Sequence, residues 1–266
     1  MGLNFEKWHG NGNDFIIINS IEDELKITQN KIIKISDRNI GIGFDQLIKI
    51  DLPTKPNHDF FIRFFNADGS EAGMCLNGIR CAAKYIWNNN FAPIGRVNFQ
   101  TKTKNIICEP KAKKMIQVHM ELPNKIESKS LCDNLKNKGI NNFFISNIGN
   151  NHLCIKMKSI KKINLNEIYK NLEGVIKELD INLSIFKKDG NSIDIRTFEN
   201  GVGETLSCGS AALCVASYFL KDKLLKIRSI GGELVFKKNK NGILMAGPAS
   251  FIYTGCLLYT SPSPRD

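Results

Sequence analysis

Two cysteines, Cys75 and Cys208, lie 133 positions apart in polar, glycine-rich surroundings, Met74-Cys75-Leu76-Asn77-Gly78 and Ser207-Cys208-Gly209-Ser210, where a buried apolar residue has little reason to be. A thiol whose pKa is drawn down from its free value of about 8.5 serves as base or acid near neutral pH. The other six cysteines, Cys81, Cys108, Cys132, Cys154, Cys214 and Cys256, contain no CxxC pair. Without that spacing or a secretory context, disulfide and zinc readings are weak. Cys81 and Cys214 sit within apolar runs and are expected to pack in the core, the usual fate of a free cysteine.

The elements that must position these thiols come in two copies. At the same 133-residue offset, Ile62-Arg63-Phe64-Phe65 faces Ile195-Arg196-Thr197-Phe198, Glu71 faces Glu204, Cys81 faces Cys214, Ala83 faces Ala216 and Tyr85 faces Tyr218. Upstream, Gly12-Asn13-Asp14-Phe15-Ile16 is echoed by Gly149-Asn150-Asn151-His152-Leu153. In each copy an apolar stretch (60–65, 193–198) predicts a strand, a polar turn follows (67–72, 200–205), and a dense apolar run predicts a nearly buried helix. Cys75 and Cys208 then stand at the N-terminal ends of two central helices. Such an end carries partial positive charge and unbonded N–H groups, which stabilise a thiolate and bind a carboxylate. Two such ends facing one another would hold an amino-acid carboxylate between two activatable thiols.

The 266 residues and 42% hydrophobic content allow one large domain or two smaller ones, and the repeat favours two. The net charge of +11 invites a nucleic-acid reading, but the lysines are scattered in short groups (111–114, 156–162, 237–240) mixed with Asn and Ile. They read as a solvated surface, and neither a nucleic-acid partner nor a membrane partner is expected. No apolar run reaches the roughly 20 residues of a membrane span, and the start carries Glu6 and Lys7 where a signal peptide has its apolar core. A soluble cytoplasmic protein is expected, acting on a small molecule as a homodimer.

Four segments then carry a resemblance to the diaminopimelate epimerase family from Phe5 to about Gly255. They are Lys7-Trp8-His9-Gly10-Asn11-Gly12-Asn13-Asp14-Phe15; Gly43-Phe44-Asp45-Gln46; Asn66-Ala67-Asp68-Gly69-Ser70-Glu71 with Met74 to Cys81; and Gly201 to Ser210. The resemblance implies an α/β (α+β) fold of two pseudo-symmetric halves, each a curled sheet or barrel around a central helix, with the active site in the cleft between them. It implies a cofactor-independent isomerase, using neither pyridoxal phosphate nor metal, that interconverts LL- and meso-diaminopimelate in lysine and peptidoglycan-precursor synthesis. Cys75 and Cys208 would exchange the α-proton. His152 and Glu199 would assist, and Asn13, Gln46, Asn66, Asn150 and Asn182 would form a polar ring around the substrate. Leu76, Asn77, Gly209 and Ser210 would line the helix ends, and Asn200 would lie at the distal carboxylate. A hydrogen-bonded core histidine competes as the reading of His152, and a turn residue as the reading of any one Asn.

The chain departs from the family pattern at Leu76 (usually Gly), Asn151 (Pro), Asn200 (Arg) and Ala211 (Gly). Asn200 matters most, because an arginine fork grips a carboxylate bidentately and an asparagine does not. A related racemase for another amino acid, such as proline or histidine, is therefore the alternative; a non-catalytic binding protein would have no use for the four retained reactive residues. The expected division is a first half over 1–122, a second over 123–246, a closing strand over 247–255 returning to the first half, and a non-native tail over 256–266, poorly packed.

Overall fold

The 133-residue repeat of the sequence becomes a repeat of topology in the computed structural model, which describes residues 2–22, 25–112, 114–176, 179–221 and 223–258. Two units result, one running to Ile116 and resuming at Pro248, the other spanning Gln117–Gly247. The first contains β1 (Gly2–Gly10), β2 (Asn13–Asn19), α1 (Gln29–Ser36), β3 (Gln46–Asp51), β4 (Phe60–Asn66), β5 (Glu71–Ala72), α2 (Leu76–Asn88), β6 (Val97–Gln100) and β7 (Asn105–Lys111). After β8 (Met115–Met120), which crosses the division, the second contains β9 (Asn124–Lys125), α3 (Lys129–Asn137), β10 (Phe143–Asn147), β11 (Asn151–Lys156), α4 (Leu165–Ile176), β12 (Ile181–Asp189), β13 (Ser192–Glu199) and β14 (Gly203–Thr205). It continues with α5 (Gly209–Phe219), β15 (Leu225–Ser229), β16 (Gly232–Asn239) and β17 (Gly242–Pro248), and β18 (Ser250–Leu258) returns to the first unit.

The pairings repeat as well. β2 and β3 run parallel across α1, as β11 and β12 do across α4; β4 and β6 run parallel across α2, as β13 and β15 do across α5. β4 and β13 largely alternate inward apolar residues with outward polar ones, the period of a strand with one face in a core. The outward arginine of each grips the glutamate of the next short strand: Arg63 to Glu71 at 2.8 and 3.2 Å, Arg196 to Glu204 at 2.6 and 2.8 Å.

Each sheet curls around one helix. α2 packs against β1, β2, β3, β4 and β7, and α5 against β11, β15 and β16. Only Lys84 and Asn88 of α2 escape full burial, so the helix has almost no solvent face. Gly78 permits that fit, because a Cβ there would stand 2.6 Å from the Phe64 ring and 3.1 Å from Ile48 and Phe15. Position 211, its repeat counterpart, carries a fully buried alanine. Cys81 and Cys214 are wholly buried, as expected of packing residues. None of the described helices is long and apolar enough to cross a membrane.

The end of the chain differs from expectation. Cys256, Leu257 and Leu258 complete β18, in antiparallel register with Asn4, Leu3 and Gly2. The reason is packing: Leu257 joins the core of Leu3, Phe5, Ile16 and Phe65, so the strand outruns the expected boundary at 255 by three residues. Residues 259–266 of the expected tail lie outside the described residues.

The packing around α2 makes a test. Gly78→Ala should lower stability by roughly 1–3 kcal/mol through overpacking against Phe64. Ala211→Gly should cost only about 0.5–1 kcal/mol through backbone freedom. Urea unfolding midpoints compare the two, and equal shifts would refute the close fit at Gly78.

Candidate active site

The described helices with assigned N-caps divide into two kinds. Thr28 and Ser128 cap α1 and α3 conventionally, each hydroxyl accepting from a backbone N–H in the first turn. Cys75 and Cys208 occupy the same position on α2 and α5, with extended backbone (φ −136°, ψ 118° and φ −112°, ψ 109°), yet neither side chain caps its helix. Helix stability therefore does not explain these cysteines. The first N–H groups of a helix lack intrahelical partners, so each sulfur sits at a cluster of donors.

In the first unit Cys75 is half-buried, with Sγ 3.5 Å from Asn13 Oδ1, which also accepts from Asn77 Nδ2 at 3.3 Å. Asn13 Nδ2 donates to Asp45 at 2.8 Å, and Arg38 holds Asp45 and Asp14 together at 2.7 and 2.8 Å. Burial works against ionisation of Asp14, but Arg38 and Lys7 prevail and hold its carboxyl at about 2. Beside this cluster, Gln46 and Asn66 are register partners on β3 and β4. Asp68 accepts from the Ser70 hydroxyl, Ser70 from Asn66 Nδ2, and Asn66 Oδ1 from Gln46 Nε2 at 2.8 Å. Gln46 Oε1 is left buried without a partner among the described residues. Leu76 buries its side chain at the helix start.

In the second unit Cys208 is buried, its Sγ 3.3 Å from the Ser210 hydroxyl. Gly209 is the first residue of α5. Asn150 Oδ1 lies 3.1 Å from His152 Nε2, which assigns the ring proton to Nε2 and leaves Nδ1 a buried acceptor without a partner among the described residues. Burial pushes the His152 imidazole down to about 4, so it is neutral at pH 7. Asn182 is the register partner of His152, and its Oδ1 accepts from the Asn200 backbone at 2.9 Å. The Glu199 carboxylate accepts from the Thr205 hydroxyl at 2.7 Å.

The diaminopimelate epimerase family model matches residues 5–126. A diaminopimelate epimerase of Buchnera aphidicola subsp. Acyrthosiphon pisum (strain 5A) is 35% identical over 270 residues, covering 95% of each chain. The chain belongs to the diaminopimelate epimerase family. Its fold is shared more widely. A Bacillus anthracis phenazine biosynthesis protein of the PhzF family matches with TM-score 0.73 at 16% identity, over 97% of this chain and 100% of its own. A hydroxyproline epimerase from Agrobacterium vitis matches with TM-score 0.64 at 10% identity, over 98% and 94%.

Against the family pattern, Asn200 is firmly engaged. Its Nδ2 donates to Asp180 at 2.5 Å, and its Oδ1 accepts from the Tyr169 hydroxyl at 2.6 Å. Sequence reading missed Tyr169 and Asp180 as its holders and Asp45 as the anchor of Asn13. Asp45 stood inside a family segment, and Asp180 lies two residues before Asn182. Tyr169 comes from α4 and left no local signal.

The buried imidazole gives a test on stability. The unfolded chain protonates His152 near 6.5 and the folded chain only near 4. The unfolded state thus binds more protons between those values, so stability falls as pH drops through that window, by about 3 kcal/mol at its lower end. Asp14 adds its loss only below about 3.8. His152→Gln should flatten the decline of the unfolding midpoint between pH 6.5 and 4, and an unchanged decline would refute a buried neutral imidazole.

Proposed function

We propose that the protein is a diaminopimelate epimerase, interconverting LL- and meso-2,6-diaminopimelate by exchanging the α-proton between Cys75 and Cys208. The observation that carries this reading is the pair of cysteine N-caps at matching points of a repeat, neither of which caps its helix, in a chain of this family. The reaction serves lysine and peptidoglycan-precursor synthesis.

An amino-acid α-proton is a very weak acid, so the base needs help from charge-stabilising groups already in place. One sulfur, as thiolate, takes the proton and becomes S–H; the other, as thiol, gives its proton to the opposite face and becomes the thiolate. Inversion follows because donor and acceptor are different groups, and the reverse reaction starts from the exchanged pair. Charge that spreads from the α-carbon into the carboxylate meets the unbonded N–H groups at the starts of α2 and α5, as in an oxyanion hole. Asn77, Leu76, Gly209 and Ser210 belong to those helix starts.

The polar ring has hydrogen-bonding capacity to offer. Among the described residues Gln46 Oε1 and His152 Nδ1 are buried acceptors without partners, suited to the N–H groups of a substrate ammonium. Asn13, Asn66, Asn150 and Asn182 complete the ring, and Glu199 with His152 orients the reacting end. A second reading, a racemase for another amino acid such as proline or histidine, draws support from Asn200. Its amide is bound to the Asp180 carboxylate, which disfavours a second substrate carboxylate at that point.

Solvent deuterium incorporation at the α-carbon separates these readings. Diaminopimelate should exchange faster than proline or histidine, and Cys75→Ala and Cys208→Ala should each reduce exchange by at least about 100- to 10,000-fold. Cys81→Ala and Cys214→Ala should retain it. Faster exchange of proline or histidine would replace the substrate and leave the two-thiol chemistry standing. Full activity in either of the first two variants would end the two-base mechanism.

A further inference from the structure

An amide selects opposite partners with its two ends: the oxygen accepts from an ammonium, and the nitrogen donates to a carboxylate. In the first unit that choice falls on Gln46, whose Oε1 is buried without a partner among the described residues. Gln46 Nε2 is committed to Asn66 Oδ1 at 2.8 Å, which turns Asn66 Nδ2 toward the Ser70 hydroxyl oxygen at 3.0 Å. A serine has one hydroxyl proton, and Ser70 gives it to Asp68 Oδ1 at 2.6 Å. Asp68 Oδ1 also accepts from the Ser70 backbone N–H at 2.8 Å, and the two bonds hold its carboxyl below the usual carboxylate range. Asp68 is therefore ionised at neutral pH and can only accept. Every direction in the relay follows from that one carboxylate.

Without the carboxylate the chain can run the other way: Ser70 donates to Asn66 Oδ1, Asn66 Nδ2 donates to Gln46 Oε1, and Gln46 Nε2 becomes the open end. The turn that carries Asp68 is held firmly. Asn66 N–H to Ser70 O at 2.8 Å and Gly69 N–H to Asn66 O at 2.9 Å close it. From α1 the Ser36 hydroxyl donates to Ala67 O at 2.9 Å and Gln29 Nε2 to Asp68 O at 3.0 Å. Gly69, at φ 78°, lies so close to α1 that a Cβ would stand 2.3 Å from Gln29. The amides of Asn77 and Asn13 beside Cys75 are fixed at both ends, by Arg80, which only donates, and Asp45, which only accepts. The Gln46 chain is fixed at one end, and its other end is the open oxygen. At the 133-residue offset the second unit has Glu199 in the place of Asn66, with Gly201 and Gly203 in the places of Asp68 and Ser70. It thus carries an acceptor-only group at that position directly, whereas the first unit brings the same polarity in through neutral groups and keeps the charge on an exposed turn.

We propose that Asp68 and Ser70 are positioning residues that set specificity: through Asn66 they fix the Gln46 amide with its oxygen open, so that this point of the first unit selects an ammonium over a carboxylate. This rests on the reading of Gln46 as a substrate contact given above. Neither residue touches the substrate itself.

The side-chain amides of Gln46 and Asn66 give separate proton–nitrogen NMR signals, identified by their loss in Gln46→Glu and Asn66→Asp. On the intact protein without substrate, Ser70→Ala should shift both signals, although it keeps the bond from the backbone of residue 70 to Asp68 and so leaves the turn closed. Ser70→Thr, which restores a hydroxyl, should return them. With diaminopimelate, Ser70→Ala and Asp68→Ala should each raise KM by roughly 10- to 100-fold, the worth of one hydrogen bond to a charged group, and change kcat less. Ser70→Thr should stay near the wild type. A merely structural role for the turn would not give a loss confined to KM and rescued by a hydroxyl. The proposal is overturned if Ser70→Ala leaves both amide signals unmoved, if KM does not rise, or if the loss falls on kcat instead. Ser70 and Asp68 are exposed, so neither alanine opens a core cavity. The signals are read without substrate, so they decide the relay even where diaminopimelate does not exchange, an outcome that bears on the function itself.

Discussion

A helix buried on nearly every side can meet a substrate only at its ends. That constraint organises each unit of this protein: the sheet curls around α2 or α5, inward strand positions are apolar, and the one place where the helix can do chemistry is its first turn. The backbone N–H groups there are unbonded whatever the sequence, so the fold supplies an anion-binding point before any side chain is chosen. A cysteine at the cap adds a thiol to that point. The depth of burial that makes the geometry rigid also removes tolerance for volume, which is why position 78 has no side chain and position 211 has only a methyl.

Rigidity at the site also comes from hydrogen-bond polarity. An amide can be turned either way, but a chain of amides ending in a group that only donates or only accepts has one orientation. Arg80 at one end and Asp45 at the other set Asn77 and Asn13; Asp68, through Ser70, sets Asn66 and Gln46. The orphan acceptor on Gln46 is thus the outcome of a fixed network. Preorganised dipoles of this kind need no rearrangement when charge develops.

The two cysteine caps and the strand-turn-helix order were legible in the sequence because alternation, a polar turn and a helical apolar run are local signals, and the repeat was legible because both copies carry those signals at one offset. The Arg–Glu pairs were present as matched letters, and β4 with β5 and β13 with β14 turned them into contacts. What was not legible depends on distant partners. Arg80 was visible in a family segment, but its full burial and its hydrogen bond to the distant Pro248 carbonyl are properties of everything packed around it. Tyr169 reaches Asn200 from 31 residues away. Leu257 carries no local sign of its place, which is set by Leu3 and Phe5 of β1.

That last pairing bears on how the protein is made. β18 lies along β1 with Leu258 opposite Gly2, so the first unit's sheet needs a strand that emerges from the ribosome after the whole of the second unit, which is one uninterrupted stretch, Gln117–Gly247. Domains fold as units during synthesis, at about 5–20 residues per second, and contacts of long sequence separation form last. On this timetable the half that is translated first is the half that finishes second. Until then β1 carries an unpaired edge in the crowded nascent state, where such edges invite chaperones and misassembly.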